Sequence, residues 1–247
     1  MNTRDTDTTY TSDTLKELTP EATESRRVVV LISGHGGNLQ ALIDEQTHGR
    51  LGGKIVAVIS NVPDVYGLQR ARDAGIDAVV LPHTEYESRE AYDGALIKVI
   101  ERHEPDLVVL AGFMRVLTAR FVQRFAGRML NIHPSLLPAY RGLNTHAKAL
   151  ADGVSEHGCS VHFVTEELDG GPVVIQAVVR VSADETEATL KEKVHAREHL
   201  IYPIAVKWFL EGRLQLEGDA ATLDSTPLPP HGLRLSHADA AEELDEE

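Results

Sequence analysis

Val28-Val29-Val30-Leu31-Ile32, then Ser33-Gly34-His35-Gly36-Gly37-Asn38, then Leu39, Leu42 and Ile43 at helical spacing, are the residues that decide the fold. A continuous β-branched, apolar run reads as a strand buried on both faces. The glycines after it form a tight turn, and the spacing of the leucines opens a helix. A turn of this kind lets backbone N–H groups approach an anion at the positive end of a helix. It does not follow the dinucleotide pattern G-x-G-x-x-G, because Leu39 stands where the third glycine belongs.

The same rhythm repeats downstream. Lys54 to Ser60 reads as a second buried strand, Asp64 to Ala74 as a helix closed by Gly75, and Ala78 to Leu81 as a third strand. Ser88 to His103 carries Ala91, Ala95, Leu96, Val99 and Ile100 at helical spacing, and Pro105 separates it from a fourth apolar strand, Leu107 to Ala111. Strands alternating with helices predict an α/β fold with a doubly wound, mostly parallel sheet. Ligands in such sheets collect beyond the carboxyl ends of the strands, where Gly36, Gly112 to Arg115 and His133 all fall.

Met129 to Ile132 is a further strand, and it leads into Asn131-Ile132-His133-Pro134-Ser135-Leu136-Leu137-Pro138. Residues two apart on a strand face one side, so Asn131 and His133 present an amide beside an imidazole. Pro134 biases His133 away from helix and ends the ladder. An N–H donor for a developing oxyanion next to a group that exchanges protons near neutrality is the minimum equipment for acyl transfer.

Six blocks in one order, LISGHGGNLQ, ESREAYD, LAGFMRVL, NIHPSLLP, HGCSVHFVTEELDGGPVV and EHLIYP, span roughly residues 27 to 215. Together they resemble the formyltetrahydrofolate-using formyltransferases, and within them the glycinamide ribonucleotide formyltransferases of purine synthesis. The resemblance implies formyl transfer from 10-formyltetrahydrofolate, a co-substrate, to the amine of 5-phosphoribosylglycinamide. It implies His133 as general acid, Asn131 as oxyanion donor, and Asp169 as the carboxylate that holds the charged imidazole. An Asp before Gly170-Gly171 is by itself an ordinary turn residue; only the matched context makes it catalytic.

The resemblance also places the ribonucleotide phosphate at Gly36, Gly37 and Asn38, with His195 and Glu198 as further ribonucleotide contacts. At His195 relatives often carry Gln, and Glu198 taken alone reads as solvent-facing. The turn departs from the common Gly-Asn-Gly-Ser-Asn by carrying His35 and Gly37: a Ser hydroxyl is lost, and His35 offers a possible donor. Folate contacts are implied for Arg89, Met114, Arg115, Val116, Leu117, Asn131, Thr165, Glu166, Glu167, Leu168 and Asp169.

Ala139 to Glu156 reads as a lid-length loop followed by a helix. Ser160 to Val164 and Pro172 to Val181 are β-rich runs joined by Thr165 to Gly171, and they suggest antiparallel strands added in the C-terminal half. Ser182 to Glu185 resembles a capping box opening a helix to about Leu210, with Pro203 inside it. The domain plan is a disordered acidic extension over 1–25, the formyltransferase domain over 26–217, and a Pro-containing acidic tail over 218–247 without a core.

Net charge is −14 over 247 residues, and it is concentrated in the ends. Residues 1–25 hold six acids and two bases, residues 218–247 hold eight acids and one base, and −3 is left for 26–217. A nucleic-acid binder needs a basic stripe, so no nucleic-acid partner is expected. An acidic end also argues against the tRNA-directed formyltransferase, and the short polar start argues against the deformylase with its preceding regulatory domain. A non-catalytic nucleotide-binding module would leave Asn131, His133 and Asp169 unexplained. Cys159 is the single cysteine, no apolar run reaches the ~18 residues needed to span a bilayer, and no signal-peptide core is visible. A cytoplasmic enzyme, monomer or homodimer, with no metal and no membrane partner is expected.

Overall fold

A computed structural model describes residues 25–235. Apart from Ser25, the expected N-terminal extension lies outside them, as does the acidic stretch Asp239–Glu247. Four strands alternate with helices as the sequence predicts: β1 (Arg27–Ile32), α1 (Gly37–Thr47), β2 (Lys54–Ser60), α2 (Tyr66–Asp73), β3 (Asp77–Val80), α3 (Arg89–Glu101) and β4 (Leu107–Leu110). Ser88 caps α3, its side chain accepting from the Ala91 N–H. A short helix α4 (Ala119–Arg124) leads to β5 (Met129–His133), α5 (Thr145–Ala151), β6 (Glu156–Phe163), β7 (Val173–Arg180) and the long helix α6 (Glu187–Leu210).

The main sheet runs β3-β2-β1-β4-β5 with parallel pairing and continues through β6 and β7 with antiparallel pairing. The fold class is therefore the one read from the sequence. Strand order reverses between β1 and β4, which opens a crevice at the carboxyl ends of those strands. Alternation divides the core: Val28, Val30 and Ile32 pack with Leu39, Leu42, Val194 and Ile201 on the face covered by α1 and α6. Val29 and Leu31 pack with Tyr92, Leu96, Phe121 and Phe125 on the α3 and α4 face. On β5, Leu130 and Ile132 join the first core and Met129 the second, so Asn131 and His133 point toward the second. The buried Tyr202 hydroxyl lies 2.9 and 3.0 Å from the carbonyl oxygens of Leu110 and Leu130, tying α6 to the ends of β4 and β5.

Two expectations are corrected. The helix expected to open at Ser182 is capped four residues later, where Thr186 and Thr189 form the capping box. Ser182 and Glu185 close only a local turn. Nor is the chain beyond Gly218 without a core. β8 (Leu214–Glu217), β9 (Ala220–Leu223) and β10 (Thr226–Pro227) form a small antiparallel sheet, and β11 (Leu233–Leu235) pairs in parallel with β7. Ala221 is buried, and Leu223, Leu228 and Leu235 pack against the first core. These strands gain their burial from tertiary contact and not from any local apolar run. No helix among the described residues is long and apolar enough to cross a membrane.

Candidate active site

β5 lies between a parallel neighbour and an antiparallel one, and this places its end at the meeting point of both halves of the sheet. Antiparallel pairing sets His162 opposite Asn131 and Ser160 opposite His133. Directly opposed residues share a face, and the Asn131 Nδ2 stands 3.0 Å from the His162 Nε2. The His162 Nδ1 lies 2.9 Å from the Phe163 carbonyl oxygen, to which it donates. Its Nε2 therefore carries the lone pair and accepts from the Asn131 amide. Burial pulls the His162 pKa down to about 4, against the fields of the Phe163 carbonyl and Asp169, so the ring is neutral at pH 7. The His162–Asp169 approach of 3.7 Å is accordingly not an ion pair.

His133 is buried, and its Nε2–H donates to the Tyr140 carbonyl at 2.9 Å. The other nitrogen, Nδ1, lies 3.5 Å from Asp169 Oδ2. That is too long for a good hydrogen bond and leaves Nδ1 as the nitrogen open to a reacting atom. Asp169 sits at φ 48°, in the left-handed region that Asp and Asn tolerate among non-glycine residues. Its Oδ2 accepts the Gly142 N–H at 2.9 Å. The loop 139–144 thus fixes both partners, through the Tyr140 carbonyl and the Gly142 N–H, and Arg141 pairs with Glu167 on the Asp169 loop. Behind His133, His157 draws on the Pro134 carbonyl and lies 3.1 Å from the His146 Nδ1; burial lowers the His157 pKa to about 4.

Asp169 borders two cavities. One, of about 100 Å³, is lined by Arg115, Val116, Leu117, Asn131 and Thr165 to Asp169, with Leu110, Phe113, Val122 and His162 among its other walls. Nine of the eleven residues implied for folate contact meet there; Arg89 and Met114 do not line it. Arg89 is exposed at the start of α3, and Met114, 67% exposed, stands with Val116 and Leu168 as apolar side chains open to solvent. The second cavity, about 730 Å³, lies between the Asp169 loop, Leu137 and Arg141 on one side and Ala220, Leu228 and Pro229 on the other. A groove of about 660 Å³ between α1 and α6 touches Gly37 but none of Asn131, His133 or Asp169, and so is separate from that edge.

At the glycine turn, Gly36 adopts φ 77°, and a Cβ there would fall 2.8 Å from the Gly67 Cα. Both conformation and packing require glycine. Arg70 donates to the His35 carbonyl at 3.0 Å and to Gln40 Oε1 at 2.8 Å, and its NH2 lies 3.3 Å from His35 Nδ1. A guanidinium only donates, so the His35 proton resides on Nε2. A Cβ at Gly37 would lie 2.9 Å from His199 Nε2: an imidazole fills the space a serine would need. His195 stacks on His199 with centroids 6.4 Å apart.

Asn38 donates through Nδ2 to Glu198 Oε2 at 2.9 Å, while its buried Oδ1 has no hydrogen-bond partner among the described residues. Glu198 is 5% exposed and not solvent-facing. Burial raises its pKa from 4.5 to about 7, opposed by the Asn38 hydrogen bond. The unfolded chain therefore loses this proton first, and the group's contribution to stability falls as pH rises from about 4.5 to about 7, then levels. Glu198→Gln lacks this loss. Urea unfolding across pH should show wild-type stability declining relative to the variant over that window; a constant difference would refute the assignment.

His162, Tyr140 and Arg141 were not singled out by sequence reasoning, and Gly142 entered only as part of the lid-length loop. His162 faces Asn131 through the β5–β6 register, which neither strand's sequence states by itself; the loop residues act through backbone groups or a surface ion pair, which leave no residue-type signal.

The formyl transferase family model matches residues 26–206. The phosphoribosylglycinamide formyltransferase of Escherichia coli is 54% identical over 205 residues, covering 83% of this chain and 97% of that protein. A solved phosphoribosylglycinamide formyltransferase from Coxiella burnetii is 50% identical with a TM-score of 0.83, covering 86% of this chain and 100% of the other. A formyltetrahydrofolate deformylase from Burkholderia mallei shares 31% identity at a TM-score of 0.74, over 81% of this chain and 70% of the other. The chain belongs to the formyl transferase family, among its phosphoribosylglycinamide formyltransferases.

Proposed function

We propose that the Asn131–His133–Asp169 edge transfers a formyl group from 10-formyltetrahydrofolate to the amine of 5-phosphoribosylglycinamide, in a cytoplasmic setting. The observation that carries this reading is the convergence of the His133 Nδ1 on Asp169 Oδ2 at 3.5 Å, beside a cavity that Asn131 and Asp169 both line. The cavity's apolar bed of Leu110, Phe113 and Val122, rimmed by the exposed Val116 and Leu168, suits a flat heterocycle such as the folate pterin. On the other side of the crevice, the orphaned Asn38 Oδ1, the buried Glu198 and the Gly36–Gly37 N–H groups suit the hydroxyls and phosphate of a ribonucleotide.

The glycinamide amine attacks the formyl carbon, and a tetrahedral intermediate forms with its charge on oxygen. Asn131 gives one amide hydrogen to His162 and keeps the second for that oxyanion. The bond from carbon to the folate nitrogen then breaks. His133 Nδ1 delivers a proton to the leaving nitrogen, and the proton lost by the attacking amine restores the imidazolium. The Asp169 carboxylate beside Nδ1 stabilises the charged ring. Mixing purified protein with the ribonucleotide and 10-formyltetrahydrofolate should give a ribonucleotide-dependent change in folate absorbance. No change with ribonucleotide, or an equal change without it, would overturn the reading.

A further inference from the structure

Asp93 lies in the ESREAYD block, four residues beyond Arg89 on the inner face of α3, and no step of the chemistry uses it. It is a carboxylate only 2% exposed. Its Oδ2 accepts the Thr118 N–H at 2.7 Å, across the loop that carries Phe113 to Leu117. Thr118 in turn caps α4, accepting from the Phe121 N–H. The other oxygen, Asp93 Oδ1, is buried with no hydrogen-bond partner among the described residues, and so is the Nε donor of Arg115. The Arg115 guanidinium stands over the Tyr92 ring at 5.0 Å. Tyr92 neighbours Asp93 in sequence, and its hydroxyl, also buried and without a partner, feels the fields of both Asp93 and Arg115. Buried polar atoms without partners are rare and call for a reason. Here an orphan cationic donor stands over the Tyr92 ring, and an orphan acceptor sits one residue along α3 from that ring, beneath a loop that walls the cavity.

We propose that Asp93 is a positioning residue for the folate: one oxygen anchors the 113–118 loop through Thr118, and the other supplies the counter-charge that holds Arg115, Val116 and Leu117 at the cavity wall. This rests on the reading that the cavity receives the folate. Asp93 touches no substrate and acts through Arg115 and the loop.

Asp93→Asn keeps an acceptor for the Thr118 N–H and removes only the charge. Calorimetric binding of 10-formyltetrahydrofolate should weaken by about tenfold, within the range of residues that act on a ligand without touching it. The KM for the ribonucleotide should stay within about twofold, because its pocket lies across the crevice. In an Arg115→Met background the further effect of Asp93→Asn should vanish. Unchanged folate binding in the variant would overturn the inference, and so would equal weakening of both substrates with a lowered Tm, the mark of a general structural role. Full additivity with Arg115→Met would overturn it as well. Failure of the wild type to bind 10-formyltetrahydrofolate would overturn the placement of the folate, and the inference with it.

Discussion

Asp169→Asn is expected to lower kcat by about 100-fold or more, the size typical of a lost general acid–base partner, with the fold intact. Asn tolerates the left-handed backbone at this position and can still accept the Gly142 N–H through its carbonyl oxygen. What changes is the charge on that same oxygen, which also lies 3.5 Å from His133 Nδ1. A carboxylate there stabilises the imidazolium; the neutral amide oxygen does so far less, so the ring is less able to hold the proton it must give. Circular dichroism and Tm should match wild type while single-turnover formyl transfer collapses. A folded variant retaining more than about a tenth of the wild-type rate would remove Asp169 from the mechanism.

Asn131→Ala is expected to cost about 100- to 1000-fold in kcat, the usual effect of losing one oxyanion donor. A stability loss of about 1–3 kcal/mol should accompany it, because the buried His162 Nε2 would lose its donor. The two effects separate experimentally: kinetics run well below the Tm report the first, and urea unfolding reports the second. Wild-type kcat within about tenfold, at whatever stability, would mean that the oxyanion is held by something other than this amide.

Much of the fold was legible because its strands are buried on both faces. β1, β2 and β4 read as largely continuous apolar runs, and such runs have few alternatives where no apolar stretch is long enough to span a bilayer. Strand alternation also puts Asn131 and His133 side by side, but the candidate roles of the pair came from the resemblance. The role proposed for Asp169 came only through resemblance, because nothing local distinguishes an Asp-Gly-Gly with such a role from a turn. His162 was missed because its meaning depends on the pairing of β5 with β6, a long-range fact that neither strand states alone. The C-terminal strands were missed because they are two to four residues long and broken by prolines. The start of α6 was misplaced because Ser182–Glu185 and Thr186–Thr189 both carry the spacing of an N-terminal cap, and only the second is followed directly by the buried Leu190.

Of the four side chains this scheme draws on, Asn131, His133 and His162 ride on paired strands, and Asp169 alone comes from a connection between strands. Sheet pairing fixes three of the positions to within the fluctuations of a packed interior, whereas the fourth inherits the looser tolerance of irregular backbone. Since a displacement near 1 Å can cost about 100-fold in rate, errors of alignment in this enzyme concentrate in a single degree of freedom, the distance from a carboxylate to a ring nitrogen.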